Sequence, residues 1–408
     1  MISAAQKARI RPVHPFPARM APSIVWDCLP KTGSPLRILD PMSGSGTTLV
    51  CAREKGHFAI GCDTDPLALL IARAWSSDID PPGIYQRAAI VLERSKTLAD
   101  QLDCEEAYPK RADEETRQFI NFWFDDENRR QLTALSTCIA RVRYESERTL
   151  LWCAFSRLII TKSAGVSLAM DVSHSRPHKV YQTAPVRPFD KFLRAVGLVV
   201  EHSPFQINDK SERRSPSVDI RMGDARCLPI DSKSIDMIIT SPPYFNAIDY
   251  LRGHKFSLVW MGHCIANIRR LRSENIGSEI SAHPQLDNAV CEAMKAMGKL
   301  RNLDKRRTGM LGRYANDMNN VLRECARVLK RNGQAIIVVG DSSLQRVFIK
   351  NSDVLTRLAA HHGFSLTSRV VRPIAENKRY LPPPNSQQSG KQLQGRMREE
   401  VILKFIAA

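Results

Sequence analysis

The chain has ten cysteines in 408 residues, and no two of them form a Cys-x-x-Cys pair. Several, among them Cys51, Cys138, Cys153 and Cys325, sit inside apolar helix-like or strand-like patterns, which predicts reduced core thiols in a cytoplasm and not a disulfide framework. The histidine pairs at 174/178 and 361/362 have no carboxylate or thiol cluster beside them, so no metal site is expected. There is no apolar run long enough to cross a bilayer, no basic amphipathic anchor, and no apolar signal core in MISAAQKARIRPVHPF; neither membrane attachment nor export is expected. Internal repeats and extended low-complexity segments are also missing.

Charge of one sign is plentiful. Sixty Lys and Arg stand against 42 Asp and Glu, a formal net charge of +18 with a pI near 9.7. That excess is more than solubility needs, and it favours a polyanionic partner, nucleic acid before membrane. The length exceeds that of one typical domain, so two domains or one with large insertions is expected.

Strand and helix patterns alternate at the start. Leu36 to Leu39 reads as a buried strand and runs into DPMSGSGTT, residues 40 to 48; Thr47 to Lys55 reads as a helix closed by Gly56. A second strand follows, His57 to Cys62, with Asp63 at its carboxyl end, then a helix from Leu67 to Trp75. This order predicts a doubly wound, mostly parallel α/β sheet, with ligands bound outside the carboxyl ends of the strands. The pattern then breaks. Residues 84–205 read as a mainly helical insertion that ends in the basic, proline-containing stretch 171–188, expected as a linker or a nucleic-acid contact. The sheet resumes over 206–262 with strands near 219–224 and 234–240. Residues 263–315, carrying RRLR and KRR, read as a second, basic insertion too polar for the core, and 316–408 close the sheet after a helix beginning near Asn316.

The small-residue loop excludes two familiar ligands. A triphosphate loop needs lysine after its second glycine, where Thr47-Thr48 stands; a dinucleotide loop needs three spaced glycines, and only Gly44 and Gly46 are present. What remains is a tight turn opened by Asp40, suited to a ligand bearing an ammonium group. Asp63 stands where an acid can accept both hydroxyls of a ribose, and Asp224 where one can accept from an adenine amino group. TSPPY, residues 240–244, ends a strand on two residues without backbone N–H groups, flanked by a hydroxyl and a phenol.

Together these stretches resemble the S-adenosyl-L-methionine-dependent DNA amino-methyltransferases, which methylate the exocyclic nitrogen of cytosine or adenine. LDPMSGSGTT looks like that family's cofactor loop (Asp40, Pro41, Ser43, Gly44, Gly46, Thr47), GCDTDPLA like its ribose acid (Asp63, with Asp65), and GDARCLP like its adenine-binding acid (Asp224, with Ala225). HPFPARMAP, residues 14–22, resembles the segment closing over the methionine end of the cofactor (Phe16, Pro17), placed here before the first strand. The resemblance implies a class I methyltransferase, Rossmann-like fold, with TSPPY as the catalytic corner. The hydroxyl of Ser241 and the carbonyl of Pro242, stiffened by Pro243, would accept the two N–H bonds of the target amine, freeing its lone pair for in-line attack. Tyr244, with Phe245, would stack on a base drawn out of the duplex.

Serine as the corner's first letter favours cytosine N4 over adenine N6, the alternative. Cytosine-C5 chemistry is disfavoured, because it needs a Pro-Cys pair and there is none. RNA base methylation and a catalytically silent DNA-binding homologue stay as further alternatives. Duplex DNA is the expected partner, with a cognate restriction nuclease a further one, in a cytoplasmic, nucleoid-associated setting. Candidate phosphate and base contacts are Arg176 and Lys179 in the first interruption, Arg269, Arg270, Arg272, Lys305, Arg306 and Arg307 in the second, and Arg379 and Tyr380 in NKRYLPPPN.

Overall fold

A computed structural model describes residues 10–17, 19–30, 33–170, 172–173, 177–207, 216–244, 250–277, 286–298, 300, 303–344, 347–374 and 399–408. Its centre is one seven-stranded sheet. In chain order the strands are β1 (Arg37–Asp40), β2 (Phe58–Asp63), β3 (Val218–Met222), β4 (Ile235–Thr240), β5 (Leu329–Val339), β6 (Phe364–Pro373) and β7 (Glu399–Ala407). Across the sheet they run β6-β7-β5-β4-β1-β2-β3. All neighbouring pairs are parallel except the two made by β7, which runs antiparallel to both β5 and β6. The order reverses between β1 and β4, the switch point at which an open α/β sheet leaves a crevice beyond its strand ends.

The helices are α1 (Pro22–Cys28), α2 (Thr47–Glu54), α3 (Pro66–Ser76), α4 (Pro81–Gln101), α5 (Glu114–Trp123), α6 (Asp126–Ala140), α7 (Glu145–Ile159), α8 (Pro188–His202), α9 (Leu251–Leu258), α10 (Ile265–Glu274), α11 (Asn288–Met294), α12 (Lys305–Val328) and α13 (Asn351–His361). Their starts follow local chemistry: proline in the first turn of α1, α3, α4 and α8, and aspartate side chains accepting backbone N–H groups ahead of α3, α5, α6, α11 and α12.

Strand alternation divides the core between the two faces of the sheet. Ile38, Ala59, Met237 and Ile239 face one apolar cluster with α2 to α9, while Leu39, Ile60, Ile238 and Ile337 face another with α11, α12 and α13. The helices of residues 84–205 supply Ala88, Leu132, Leu151, Phe155 and Phe192 to the first cluster, so they pack as a layer of the sheet's own core.

One expectation is corrected here. Residues 263–315 are not too polar for the core: Val290, Ala293, Met297, Leu311 and Tyr314 are buried in the second cluster. The helix expected from Asn316 begins at Lys305, capped by Asp304. Its first turns carry KRR and two glycines, which hide the i, i+3, i+4 spacing of Leu311, Tyr314, Ala315 and Met318.

Candidate active site

Strands β1 and β4 are hydrogen-bonded neighbours with Ile38 opposite Met237 and Leu39 opposite Ile238. Their carboxyl ends therefore release the glycine loop and the proline corner side by side. The Thr240 hydroxyl donates to Asp40 Oδ1 at 2.7 Å, the Met42 N–H donates to the same oxygen at 3.2 Å, and the Thr48 hydroxyl donates to the Ile239 carbonyl at 3.2 Å. Asp40 is 3% exposed. Burial pushes its carboxyl up to about 6 against these hydrogen bonds. The acid expected to meet a ligand's ammonium thus also ties the two loops to each other.

The loop curls onto the end of β2. Ser43 N–H donates to the Cys62 carbonyl and Gly44 N–H to Asp63 Oδ2 at 2.8 Å, while the other Asp63 oxygen accepts from Asp65 N–H at 2.9 Å. Gly46 starts α2 at φ +89°, and a Cβ there would lie 2.9 Å from that of Ala72, so loop and α3 touch only because the residue is glycine. Each Asp63 oxygen keeps a lone pair after its backbone bond. Burial first, then the neighbouring Asp65 carboxylate, raises Asp63 to about 6. The hydroxyls of Ser43 and Ser45 are buried with no hydrogen-bond partner. A small-residue turn, two unpartnered hydroxyls and a half-satisfied carboxylate suit the ribose and amino-acid portions of S-adenosylmethionine; the chain's residues fit that group.

Phe16 lies over this loop. A Cβ on Gly44 would fall 3.6 Å from its ring, and that ring stands 5.0 Å from His254 and 5.7 Å from Tyr250. Pro17 follows it at the partly exposed rim, and Pro41 and Thr47 are buried within the loop. Asp65, expected among the ligand contacts, is committed internally: one oxygen caps α3 through Leu67 N–H, and the other meets His254 Nδ1 at 2.5 Å. His254 went unnoticed in the sequence, where a lone histidine in LRGHKFSLVW has no periodic or motif signal.

At the end of β3, Asp224 is likewise engaged. Both its oxygens accept from Arg226, whose guanidinium also reaches Asp317 Oδ1 at 2.8 Å and the Glu274 carbonyl at 2.7 Å. Partial burial opposes ionisation, but the Arg226 bonds outweigh it and hold the Asp224 carboxyl below its ordinary range. The acid expected at the adenine amino group is thus one arm of a latch that draws the end of α10 toward β3; Ala225 beside it is buried. Thr64, next to Asp63, bonds Asn275 at 3.2 Å from the same strap.

In the corner, Ser241 Oγ donates to the Tyr244 hydroxyl at 3.2 Å. Its own lone pairs stay available as acceptors. Burial raises the Tyr244 phenol, keeping it neutral. Pro242 is buried and Pro243 partly exposed; Phe245 lies outside the described residues.

The basic candidates separate into groups. Arg269 on α10 pairs with Glu115 of α5, and Lys179 places its ammonium 5.0 Å from the ring of Phe122, seven residues further along α5 and on the same face. The two interruptions therefore meet on one helix, with Arg270 and Arg272 on the adjoining α10. Lys305, Arg306 and Arg307 form the first turn of α12, with Arg307 paired to Asp304. Arg176, Arg379 and Tyr380 lie outside the described residues. Among the described residues no helix is long and apolar enough to cross a membrane, and no cluster of three or more His, Cys, Asp or Glu is arranged to hold a metal ion.

No family model matches the chain. It is similar to the type II methyltransferase M.MvaI of Kocuria varians, at 23% identity over 91% of this chain and 85% of the relative. It is also similar to the type II methyltransferases M.AvaI of a Nostoc species, at 24% over 87% and 77%, and M.MjaII of Methanocaldococcus jannaschii, at 22% over 90% and 78%. Among solved structures, a SAM-dependent methyltransferase from Methanosarcina mazei aligns with 94% of this chain at 9% identity and a TM-score of 0.33, too distant to inform the chemistry. The chain is thus similar, at low identity and over most of its length, to type II methyltransferases, and its sheet is of the doubly wound α/β kind.

Proposed function

We propose that this chain is a DNA methyltransferase that moves the methyl group of S-adenosylmethionine to the exocyclic N4 of cytosine in duplex DNA. The observation that carries the reading is the Asp40–Thr240 bond: it joins the loop suited to the cofactor to the corner suited to the amine, across neighbouring strands. Similarity to type II methyltransferases over most of the chain supports DNA as the substrate, and the arginines of α10, with Lys179 beside α5, support duplex binding.

When bound, the cofactor supplies an electrophilic methyl on a sulfonium. Asp63 would accept the ribose hydroxyls, the 43–46 turn would lie along the cofactor's chain, and Phe16 would cover its amino-acid end. Ser241 Oγ and the Pro242 carbonyl accept the two N–H bonds of the target amine, which favours a pyramidal nitrogen with its lone pair toward the methyl. Held this way by Ser241 and Pro242, the amine would present its lone pair in line with the cofactor's transferable methyl, and the proton displaced from nitrogen would leave to water. Tyr244 stacks on the extruded base. Ser241 favours cytosine over adenine.

The test is to incubate the full chain with labelled cofactor and duplex DNA or RNA, digest, and identify the modified nucleoside. N4-methylcytosine is expected. N6-methyladenine would move the activity to the other base, and label in RNA alone, or nowhere, would end the DNA reading.

A further inference from the structure

Past Val339 at the end of β5 the chain turns back on itself in a two-stranded hairpin, Ser342–Leu344 against Val347–Ile349, with Ser343 opposite Phe348. Both feet of the hairpin are pinned. Asn351 Nδ2 donates to the Gly340 carbonyl at 2.8 Å, and Asp341 accepts from the Ser352 N–H at 2.9 Å and from the Ser352 hydroxyl at 3.0 Å. The second interruption braces the returning strand. Lys350 N–H donates to the Met297 carbonyl at 2.9 Å, and Gly298, at φ +128°, comes so near that a Cβ there would fall 2.7 Å from the Phe348 carbonyl oxygen. Val347 and Ile349 are buried in the second apolar cluster, so strand alternation turns Phe348 to the opposite face, where it is 54% exposed. A phenylalanine left in water on a braced support contributes little to the core.

The hairpin leaves the strand next to the proline corner. β4 and β5 are parallel neighbours with Thr240 opposite Ile337, so Ser241–Tyr244 leave one strand end and Gly340 with the hairpin leaves the other, about 5 Å across. Tyr244 packs against the same apolar cluster that receives Val347 and Ile349. Drawing a base out of a duplex strips its neighbours of a stacking partner, and an apolar side chain inserted at that step can take its place. Such a side chain needs a stiff support, an uncommitted face and a position beside the pocket for the extruded base; Phe348 has all three. The net charge of +18 favours a polyanion as the occupant over an apolar protein partner. We propose that Phe348 is a wedge that enters duplex DNA beside the target base and stacks on the bases left behind, while Tyr244 takes the target itself. This rests on the methyltransferase reading above and adds to it a residue that lies outside the corner motif.

The experiment is single-turnover methylation by the full chain of two short duplexes built on a sequence that wild type methylates, mapped first on plasmid DNA. One duplex is fully paired; the other carries an abasic site opposite the target, so that extrusion breaks no base pair. Phe348→Ala is expected to slow transfer to the paired duplex by about 10- to 100-fold, the cost of one lost base–aromatic stack, and to slow transfer to the abasic duplex far less. Phe348→Trp, which keeps a stacking face, should recover most of the rate. An exposed substitution should leave the melting temperature and the affinity for S-adenosylhomocysteine unchanged. A wild-type rate for Phe348→Ala on the paired duplex would overturn the wedge and leave the methyltransferase reading standing, and so would an equal loss on both duplexes. No methyl transfer by wild type to any DNA would overturn both. Should the alanine variant fold poorly, Phe348→Gln repeats the comparison with the same outcomes.

Discussion

Thr240 and Asp40 stand 200 residues apart in the chain, and a 2.7 Å hydrogen bond joins them at the carboxyl ends of adjacent parallel strands. Both are buried, so the bond is shielded from water. It sets the distance between the turn that would hold a sulfonium and the corner that would hold an amine. Misplacement there would act on positioning before it acted on binding.

Replacing Thr240 by Val removes the donor and leaves a buried carboxylate with one partner fewer. Stability should fall by about 1–3 kcal/mol, the usual penalty for a buried polar group losing a bond. Urea unfolding measures it, and turnover should fall further than cofactor affinity does.

Ser241→Ala should reduce kcat by about 10²-fold or more while changing the affinity for S-adenosylhomocysteine by no more than about twofold, because the proposed role of the hydroxyl is to accept from the target amine and not to hold the cofactor. Single-turnover kinetics beside calorimetry separates the two. Equal losses in both would contradict the role given to Ser241.

Asp63→Ala should weaken S-adenosylhomocysteine by about 10- to 100-fold, since two hydroxyl bonds to a charged acceptor would be lost. Binding of duplex DNA without cofactor should not change. The contrast distinguishes a ligand contact from a general disturbance of the sheet.

The buried His14 gives a pH signature. Burial, then the charge of Arg157, lowers its pKa well below 6.5 in the fold, so between that depressed value and 6.5 the unfolded chain binds more protons. Its contribution to stability is complete above pH 6.5 and declines as pH falls below it. Asp40 and Asp63, raised to about 6, act with the opposite sign, because the folded state holds their protons more tightly. The measurement is therefore a difference: His14→Gln, able to keep a bond to Ser156, should lose less stability than wild type when urea unfolding at pH 7.5 and pH 5.5 is compared.

The Arg269–Glu115 pair is more than a third exposed on both sides and should contribute little to folding. Glu115→Gln should leave the melting temperature within about 1 °C, as expected for a surface pair. Arg269→Ala combined with Lys179→Ala should weaken DNA binding and reduce the salt slope by about one phosphate contact for each residue that touches the backbone.

Local patterns carried most of the fold. Alternating strand and helix signals, a small-residue turn after β1, an acid closing β2 and a proline pair closing β4 are each properties of a few adjacent residues, and all lie at the strand ends where they were expected. The long α12 was obscured because charge and glycine masked its apolar spacing, and the burial of Val290, Ala293 and Leu311 depends on contacts with α13 that no local pattern encodes.

The amino-acid sequence by itself determined which groups are available: a small-residue turn without the lysine of a triphosphate loop, an acid closing β2, and a donor-poor corner with a hydroxyl and a phenol. Tertiary structure decided how those groups are used. Asp65 turned inward because α9 packs His254 against it, and Asp224 became part of a latch because Arg226 folds back onto it while α12 brings up Asp317. Arg157 reaches the Val13 carbonyl, 144 positions away in sequence, only because α7 packs against the stretch that leads into β1. Hydrogen bonds and Coulomb forces act over a few ångströms of space, and spacing along the chain does not record which distant segments the apolar core brings within that range.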